Sequence, residues 1–249
     1  MLSIFKGTII ESGVINVSYI DFFHSDAYKR TNNDIQLRII KNKLINIGQA
    51  YNSYKYGSIT KSTDTILTDS NFSADIDNFR QHYQLPTPLG SEDFTLSVWM
   101  KPYQWANAST SVVCDFHTNN NPNSDNNGNG PHFELYLRDD YGSHGPSIYY
   151  TVSPYTRYIN HQNSATLNQW NHLALVQSGD KLNLYLNGIK ASTTYTGYLL
   201  NGITYIHIFG YGNFPVVGSK HLMEDFYFTR KALWTDNFTP PTTYLPDEP

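Results

Sequence analysis

The sequence predicts an all-β protein built as a β-sandwich. Alternate residues from Trp170 to Val176 would share one face of a strand, and the leucines from Leu182 to Leu186 repeat this period of two. Such alternation is typical of a half-buried strand. The Ser178-Gly179-Asp180 segment between the two runs predicts a hairpin. Asn187-Gly188 after the second run predicts another, since both residues tolerate positive φ. No stretch shows the periodicity of a long helix.

The composition fits this fold class and argues against nucleic-acid binding. Charged residues make up 15% of the 249 residues, aromatic residues another 15%, and the net charge is −4. A sandwich with a polar, uncharged surface is expected. No basic run could follow a phosphate backbone, so nucleic acid is not an expected partner. Cys114 is the one cysteine of the sequence. It is expected to be a buried strand thiol, and stability must come from packing.

Residues 1–50 are expected to form a β-rich extension, with residues 51–249 as the main sandwich domain. Short apolar runs predict strands in the extension, including a hairpin around Lys41-Asn42-Lys43. A segment of this length would be marginally stable alone. It is either an arm that docks into an assembly or a sheet extension of the sandwich. The beginning of the chain does not resemble a signal peptide, and no apolar run approaches the ~20 residues that span a bilayer.

The other strands can be predicted in chain order. The first core strand is expected at Phe79 to Leu85, ended by Pro86, with Asp75 and Asp77 as solvated turn residues before it. Further strands are expected at 94–104, up to residue 116, and at 132–138, 147–152, 155–159, 204–210 and 222–229. The prolines after Phe238 exclude a central strand in the tail.

Residues 118–131 form a low-complexity loop in which seven residues are asparagine. Asparagine favours turns and left-handed backbone, and loops of this length are either functional or disordered. The loop fits the calcium template D-x-[DN]-x-[DN]-G-x₅-E except at its first position. The candidate calcium ligands are Asn123, Asp125, Asn127, Asn129 and Glu134. Asn123 replaces the first Asp, Pro131 stiffens the loop, and no helices flank it, so a plain solvated loop is the alternative.

Three segments carry a family resemblance. They are the Trp-x-His-Leu-Ala-Leu-Val hairpin at 170–188, the Asp-Phe-Thr-Leu-Ser-Val-Trp segment at 93–99, and the closing strand and tail at 223–241. In this order they resemble laminin-G-like (concanavalin A-like lectin/glucanase) domains. The resemblance implies a concanavalin A-like jelly-roll β-sandwich. It also implies a rim calcium, with Asp225 as a candidate contributor.

Catalysis is not expected, although the concanavalin A-like fold also houses glycoside hydrolases. These enzymes need two carboxylates that face each other across the scissile bond. The laminarinase-like Glu-x-Asp-x-(x)-Glu pattern is absent. Glu134 has no acidic partner two residues on, and the adjacent Glu224 and Asp225 would point to opposite faces of a strand. The nine histidines show no metal-ligand spacing. His172 lies in the hairpin that resembles the family's motif, and this resemblance implies a hydrogen-bonded packing residue.

Carbohydrate binding is a more specific hypothesis than calcium binding or catalysis. Sugars are held by aromatic faces and by amide groups that bond to hydroxyls. The candidate residues lie in loops that combine both: Trp105, Asn107, Tyr155, Tyr158, Tyr211 and Asn213. The alternative is that most of these aromatics pack the rims of the sandwich.

The tail from Asn237 to Thr242 is similar to that of bacteriophage virion proteins. This resemblance implies a lectin-like tail-fibre or capsid-decoration component, made in the host cytoplasm and located in the virion. Its expected partners are a host surface glycan and other virion proteins, the latter bound through residues 1–50, and a homo-oligomer is expected. A purely structural virion protein is the first alternative, and a bacterial carbohydrate-binding module is the next.

Overall fold

The computed structural model describes residues 35–40, 43–46, 56–69, 73–84, 88–104, 111–118, 132–137, 146–150, 156–208 and 220–245. Within these ranges there are fifteen strands and no helix. The strands are β1 (Ile35–Ile40), β2 (Lys43–Asn46), β3 (Tyr56–Ser62), β4 (Ser73–Gln84), β5 (Phe94–Gln104), β6 (Ser111–His117), β7 (His132–Leu137), β8 (Pro146–Tyr150), β9 (Thr156–Asn160), β10 (Asn171–Ser178), β11 (Lys181–Leu186), β12 (Ile189–Lys190), β13 (Tyr195–Thr196), β14 (Tyr205–Ile208) and β15 (Lys220–Thr229). The all-β fold class is confirmed.

Two antiparallel sheets share the long strand β4. Sheet A runs in the order β12-β11-β10-β5-β15-β4, and sheet B continues as β4-β14-β6-β7-β8-β9. The first half of β4 pairs with β15 and its second half pairs with β14. Strand β11 packs against β8 and β9, which closes the sandwich on the far side. The β1–β2 hairpin, expected around Lys41-Asn42-Lys43, extends sheet A because β1 pairs with β15.

The core lies between the two sheets. Alternate residues of β5, β10 and β11 face alternate residues of β6, β7 and β8, as the period of two requires. Leu96, Leu175 and Leu184 from sheet A and Phe116 and Leu135 from sheet B have no exposed surface. Burial of an apolar side chain of this size stabilises the fold by about 1.5–3 kcal/mol. Cys114 belongs to this core and is a buried free thiol, as expected.

Two local predictions were wrong. Asp75 and Asp77 are not turn residues: they lie in β4, which begins six residues earlier than the predicted strand at Phe79, and pair with Leu222 and Lys220 of β15. Strand β10 is not half-buried, since every residue from Asn171 to Gln177 is buried. A strand buried on both faces needs a second covering layer, and the chain supplies it from its C-terminal part.

That layer consists of residues 230–245, called the strap below. The strap crosses the outer face of sheet A, where Ala232, Trp234 and Phe238 pack on Ala174, Val176 and Tyr185. The Trp234 and Phe238 rings stack with centroids 4.0 Å apart. Backbone groups fix its path: Phe238 N–H donates to the Gly188 carbonyl (2.9 Å), and the Trp99 indole donates to the Pro241 carbonyl (3.0 Å).

The turn between β3 and β4 joins the same layer. Thr68 N–H donates to the Thr242 carbonyl at 2.8 Å, so residues 63–69 and the strap form one cover. Glu224 of β15 holds this cover from below. Its Oε2 accepts the N–H groups of Ile66 (2.7 Å) and Leu67 (3.1 Å), and only 2% of the residue is exposed.

We expect Glu224→Ala to lower the free energy of unfolding by about 2–4 kcal/mol. The substitution leaves two backbone donors without their charged acceptor under a closed layer. Urea denaturation of the full chain measures the effect. Asp69→Ala is the matched control, because the exposed Asp69 carboxylate also accepts a backbone N–H, that of Tyr244. We expect a loss below about 1 kcal/mol for this control. Equal losses in the two variants would contradict a special role for Glu224.

Candidate functional site

The strand register shows which loops share an end of the sandwich. Lys220, the first residue of β15, lies opposite Gln104, the last residue of β5. Residues 105–110 follow β5, and residues 209–219 precede β15, so both loops start from one end. Leu137 at the end of β7 lies opposite Ser111 and Pro146, which places loop 138–145 at that end too. We call it the Trp105 end.

The opposite end carries the asparagine-rich loop. His117, the last residue of β6, lies opposite His132, the first residue of β7, so residues 118–131 connect the two strands there. Tyr150 lies opposite Thr156, which places the connection of residues 151–155 at this end as well. We call it the Asn-rich end.

Five of the six carbohydrate candidates come from the segments between these strands. Trp105 and Asn107 follow β5, Tyr155 precedes β9, and Tyr211 and Asn213 precede β15 in the sequence. These five residues lie outside the described residues. Tyr158, within β9, is partly buried against the core. Its ring meets Tyr195 edge-on at 5.2 Å and Phe133 at 5.9 Å. The described contacts of Tyr158 are therefore packing contacts.

The calcium candidates are also distributed. Asn123, Asp125, Asn127 and Asn129 lie outside the described residues. Glu134 lies in β7, opposite Asp115, and its side chain is likewise outside the description. The described side chains contain no group of three His, Cys, Asp or Glu that could hold a metal ion. A calcium site in the asparagine-rich loop stays a prediction.

Asp225 lies beneath the strap, far along the chain from that loop. It is 3% exposed, and its Oδ2 accepts the N–H of Leu245 at 3.2 Å. A bulge between Glu224 and Tyr227 makes Asp225 the extra residue, with a φ of 46°. Both Glu224 and Asp225 consequently bond to the cover on the outer face of sheet A. The expectation that they point to opposite faces was wrong, and backbone N–H groups donate to one oxygen of each carboxylate there.

His172 is a packing residue, as expected. Its ring lies edge-on to Trp99 (5.0 Å), Trp234 (5.7 Å) and Phe238 (5.6 Å). Within the described part of the chain, its buried Nδ1 has no hydrogen-bond partner, so the expected hydrogen bond is not found at this atom. Burial lowers the pKa of His172 to about 3. The imidazole is thus neutral and serves the core rather than a site.

The sequence interpretation missed one polar face. Asp115 and His117 alternate along β6 with the core residues Cys114 and Phe116, which places them on the outer face of sheet B. Both are buried, and the His117 ring stacks on Tyr205 with centroids 5.5 Å apart. The signal was available as two ionisable residues at alternate positions of an apolar strand. The sequence does not show how far this polar face extends, because one of the facing strands, β14, comes from a distant part of the chain.

Comparisons with known proteins agree with this architecture. The family model described as the concanavalin A-like lectin/glucanases superfamily matches residues 77–233. The chain belongs to this superfamily. The match runs from β4 through the central hairpin to the first residues of the strap. A search of curated proteins found no match.

Solved structures are similar to this chain over most of its length. Domain 4 of AbnA, an extracellular arabinanase from Geobacillus stearothermophilus solved with arabinotriose, has a TM-score of 0.55 and 16% identity, covering 81% of this chain and 95% of that chain. The botulinum neurotoxin serotype D binding domain has a TM-score of 0.51 and 14% identity, covering 84% of this chain and 50% of that chain. The botulinum neurotoxin DC binding domain, solved in complex with SialylT, has a TM-score of 0.52 and 15% identity, covering 83% and 49%. This chain thus spans about half of the neurotoxin structures. At identities this low, the structural similarity shows a shared fold and nothing more.

Among the described residues, no helix is long and apolar enough to cross a membrane.

Proposed function

We propose that this protein is a non-catalytic, lectin-like module that binds glycans at the Trp105 end. The observation that carries the proposal is the register of β5 against β15, with Lys220 opposite Gln104. The segments 105–110 and 209–219 adjoin these two paired residues in the sequence, and each segment contains an aromatic residue and an asparagine. Trp105 and Asn107 come from the first segment, and Tyr211 and Asn213 come from the second.

These residue types suit neutral sugars. Aromatic rings offer an apolar face to the C–H surface of a pyranose, and asparagine amides donate to and accept from its hydroxyls. Sites on loops held by a rigid scaffold are common in binding proteins. The similarity to a domain solved with arabinotriose supports the class of ligand, although the fold alone does not imply the function.

The test is binding of the full chain to an array of bacterial surface polysaccharides and oligosaccharides that includes arabinotriose, with calcium and with chelator. We expect saturable binding that Trp105→Ala weakens at least tenfold, as loss of a stacking aromatic would. Tyr155→Ala is the matched control, since it removes a loop aromatic at the opposite end and should leave the affinity unchanged. No binding by a folded chain would contradict the proposal. Weakening by Tyr155→Ala with no effect of Trp105→Ala would move the site to the other end.

We infer further that the module serves in a bacteriophage particle, as a tail-fibre, receptor-binding or capsid-decoration component. The support is the resemblance of the segment from Asn237 to Thr242 to the tails of virion proteins. In this chain that segment holds the strap on sheet A: Asn237 Oδ1 accepts the Lys190 N–H (2.9 Å) and Phe238 packs on Tyr185. The particle would also supply protein partners for residues 1–50 and a homo-oligomeric setting.

A deletion of residues 1–34 tests the particle role, because it spares β1 and its pairing with β15. The truncated chain should fold and keep its glycan affinity, but no longer co-sediment with phage particles assembled in its presence. Retention in the particles would assign assembly to the sandwich itself, as in the structural alternative. The pairing of strand β1 with β15 favours the other interpretation of residues 1–50, in which part of this segment is a sheet extension of the sandwich.

A further inference from the structure

The tryptophans whose side chains the structure describes have different surroundings. Trp99 is 8% exposed and its indole donates to the strap, and Trp234 stacks on Phe238. Trp170 is partly exposed, and its ring contacts no other aromatic ring among the described residues. Its indole N–H instead donates to the carboxylate of Asp64 at 3.1 Å. Part of Trp170 is therefore accessible to a ligand, and its ring is not used in an aromatic cluster.

The turn that carries Trp170 is held rigidly. The side chain of Asn171, which is 1% exposed, accepts the Thr166 N–H (2.9 Å) and donates to the Thr166 carbonyl (3.0 Å). The Asn168 N–H donates to the carbonyl of Pro102 in β5 at 2.7 Å, which fixes the turn to sheet A. A side chain presented by such a turn loses little conformational freedom when a ligand binds.

Two charged side chains complete a cluster around the indole. Asp64 comes from the cover, in the turn between β3 and β4, and Lys101 comes from β5. The Lys101 ammonium donates to Asp64 Oδ2, while the Trp170 indole donates to Asp64 Oδ1. The Asp64 and Lys101 side chains are 42% and 22% exposed. Three segments of the chain thus bring an aromatic ring, a carboxylate and an ammonium together at the surface; we call them the Trp170 cluster.

The Trp170 cluster has the chemistry that recognises a neutral sugar. An aromatic ring packs on the C–H surface of a sugar, a carboxylate accepts from its hydroxyls, and an ammonium donates to them. A carboxylate has about four acceptor positions and an ammonium three donors, so each keeps capacity beyond the bond between them. Because the charges of Asp64 and Lys101 offset each other, the pair does not favour an acidic or a basic ligand.

The same ion pair removes the need for calcium. The hydrogen bond from Lys101 lowers the pKa of Asp64 below its ordinary value, so the carboxylate is ionised near neutral pH. The positive charge beside it is the ammonium of the protein itself. A sugar hydroxyl can therefore bond directly to Asp64, without a bridging cation.

We propose that Trp170, Asp64 and Lys101 form a subsite for one neutral sugar residue of a bound glycan. Trp170 stacks on the sugar ring, Asp64 accepts from hydroxyl groups and Lys101 donates to a hydroxyl oxygen. The inference rests on the proposed glycan-binding function and adds a subsite composed of described residues on the outer face of sheet A.

The position of the subsite agrees with this function. Trp170 directly precedes β10, whose first residue Asn171 lies opposite Met100 of β5. Strand β5 continues past Lys101 to Gln104, which marks the Trp105 end. The Trp170 cluster therefore lies on the part of sheet A that leads to the proposed glycan site.

The experiment measures the affinity of the full chain for arabinotriose and for the neutral oligosaccharides of the array, by isothermal titration calorimetry. Trp170→Ala should weaken binding by about tenfold or more, as loss of a stacking ring would. Asp64→Asn and Lys101→Met should each weaken it by about three- to tenfold, because each removes a charge-assisted hydrogen bond. These two variants change the net charge in opposite directions, so a general electrostatic effect on a charged ligand would move their affinities apart. Far-UV circular dichroism checks folding, and the two surface variants test the subsite even if Trp170→Ala does not fold.

Two matched controls should leave the affinity unchanged. Tyr198→Ala removes an aromatic side chain that is 40% exposed and follows β13, which pairs with the opposite end of β11 from Asn187. Asp69→Ala removes another exposed carboxylate of the same cover, one that bonds to the Tyr244 N–H. Chelator should not alter binding by the wild type.

The outcomes separate this inference from the proposed function. A folded wild type that binds no sugar contradicts the proposed function, and the subsite with it. Binding that is lost in Trp105→Ala but unchanged in Trp170→Ala, Asp64→Asn and Lys101→Met overturns the subsite alone. Lower stability of Trp170→Ala in urea with unchanged affinity would assign the residue a purely structural role and also overturn it. Loss of binding in chelator would contradict direct recognition by the ion pair.

Discussion

The protein should lose stability steeply as the pH falls from about 6.5 towards 3, because two buried histidines cannot be protonated in the folded state. Burial lowers the pKa of His172 and that of His221 from 6.5 to about 3. Below pH 6.5 the unfolded chain binds protons at both residues and the folded chain does not. The free energy of unfolding therefore falls with decreasing pH throughout this window, and is unaffected by these residues above it.

The loss in the free energy of unfolding can be estimated from the two pKa shifts. One group of this kind contributes a slope of about 1.4 kcal/mol per pH unit, so two groups remove roughly 4 kcal/mol between pH 6.5 and 5. By pH 3 the two groups together remove at most about 9 kcal/mol, which exceeds the stability of a domain at the lower end of the typical range of about 5–15 kcal/mol. The rings in contact with His172 are uncharged, so none of them pairs with an imidazolium there. The His172 ring meets Trp99, Trp234 and Phe238, and His221 lies opposite Pro102 and Ile76.

The substitution His172→Phe isolates one of the two groups. Phenylalanine fits the aromatic surroundings of the ring and removes the buried Nδ1 that has no partner among the described residues. We expect a gain of about 1 kcal/mol at pH 7. Between pH 6 and 5 the slope should fall from about 2.7 to about 1.4 kcal/mol per pH unit. Urea denaturation at a series of pH values measures both quantities. Parallel pH profiles for the wild type and His172→Phe would show that His172 is protonated in the folded protein.

A structural feature could be predicted from the sequence when residues close together in the chain determine it. The hairpin at Asn187-Gly188 was predicted correctly, because a turn of two residues is determined locally: Asn187 has a φ of 52° and Gly188 a φ of 76°. The packing role of His172 was expected from its place in the hairpin motif, but its aromatic neighbours were not. The burial of the outer face of β10 was not predicted, because the residues that cover it, Trp234 and Phe238, lie some sixty residues further along the chain.

The candidate site shows the same limit. Local composition identified the loops that hold Trp105 and Tyr211, but their shared end of the sandwich depends on the pairing of Lys220 with Gln104. The opposite orientation expected for Glu224 and Asp225 failed because a single bulge at Asp225 shifts the alternation. Such a bulge carries no reliable sequence pattern.

The largest single-residue effect on the strap should come from Gly188→Ala. Gly188 has a φ of 76°, and a Cβ added there would lie 1.9 Å from the Phe238 carbonyl oxygen. The obstacle is backbone, so no side-chain rotation can relieve it. The strap would have to move away, giving up the bond from Phe238 N–H to the Gly188 carbonyl and the packing of Phe238 on Tyr185. We expect a loss of about 3 kcal/mol or more, since left-handed strain and lost aromatic packing add.

The Gly179→Ala variant is the control that introduces backbone strain without a steric clash. Gly179 also has a positive φ, 54°, but no atom lies within 4 Å of an added Cβ. This control should cost only the left-handed strain, about 1 kcal/mol. Thermal unfolding of both full-length variants gives the difference, and hydrogen exchange at the Phe238 amide shows whether the strap has left the sheet. A faster exchange in Gly188→Ala alone is expected. Equal stability losses with unchanged exchange would mean that the strap tolerates a side chain at this turn. In that case the cover of sheet A would depend on Trp234 and Glu224 rather than on the close approach at Gly188.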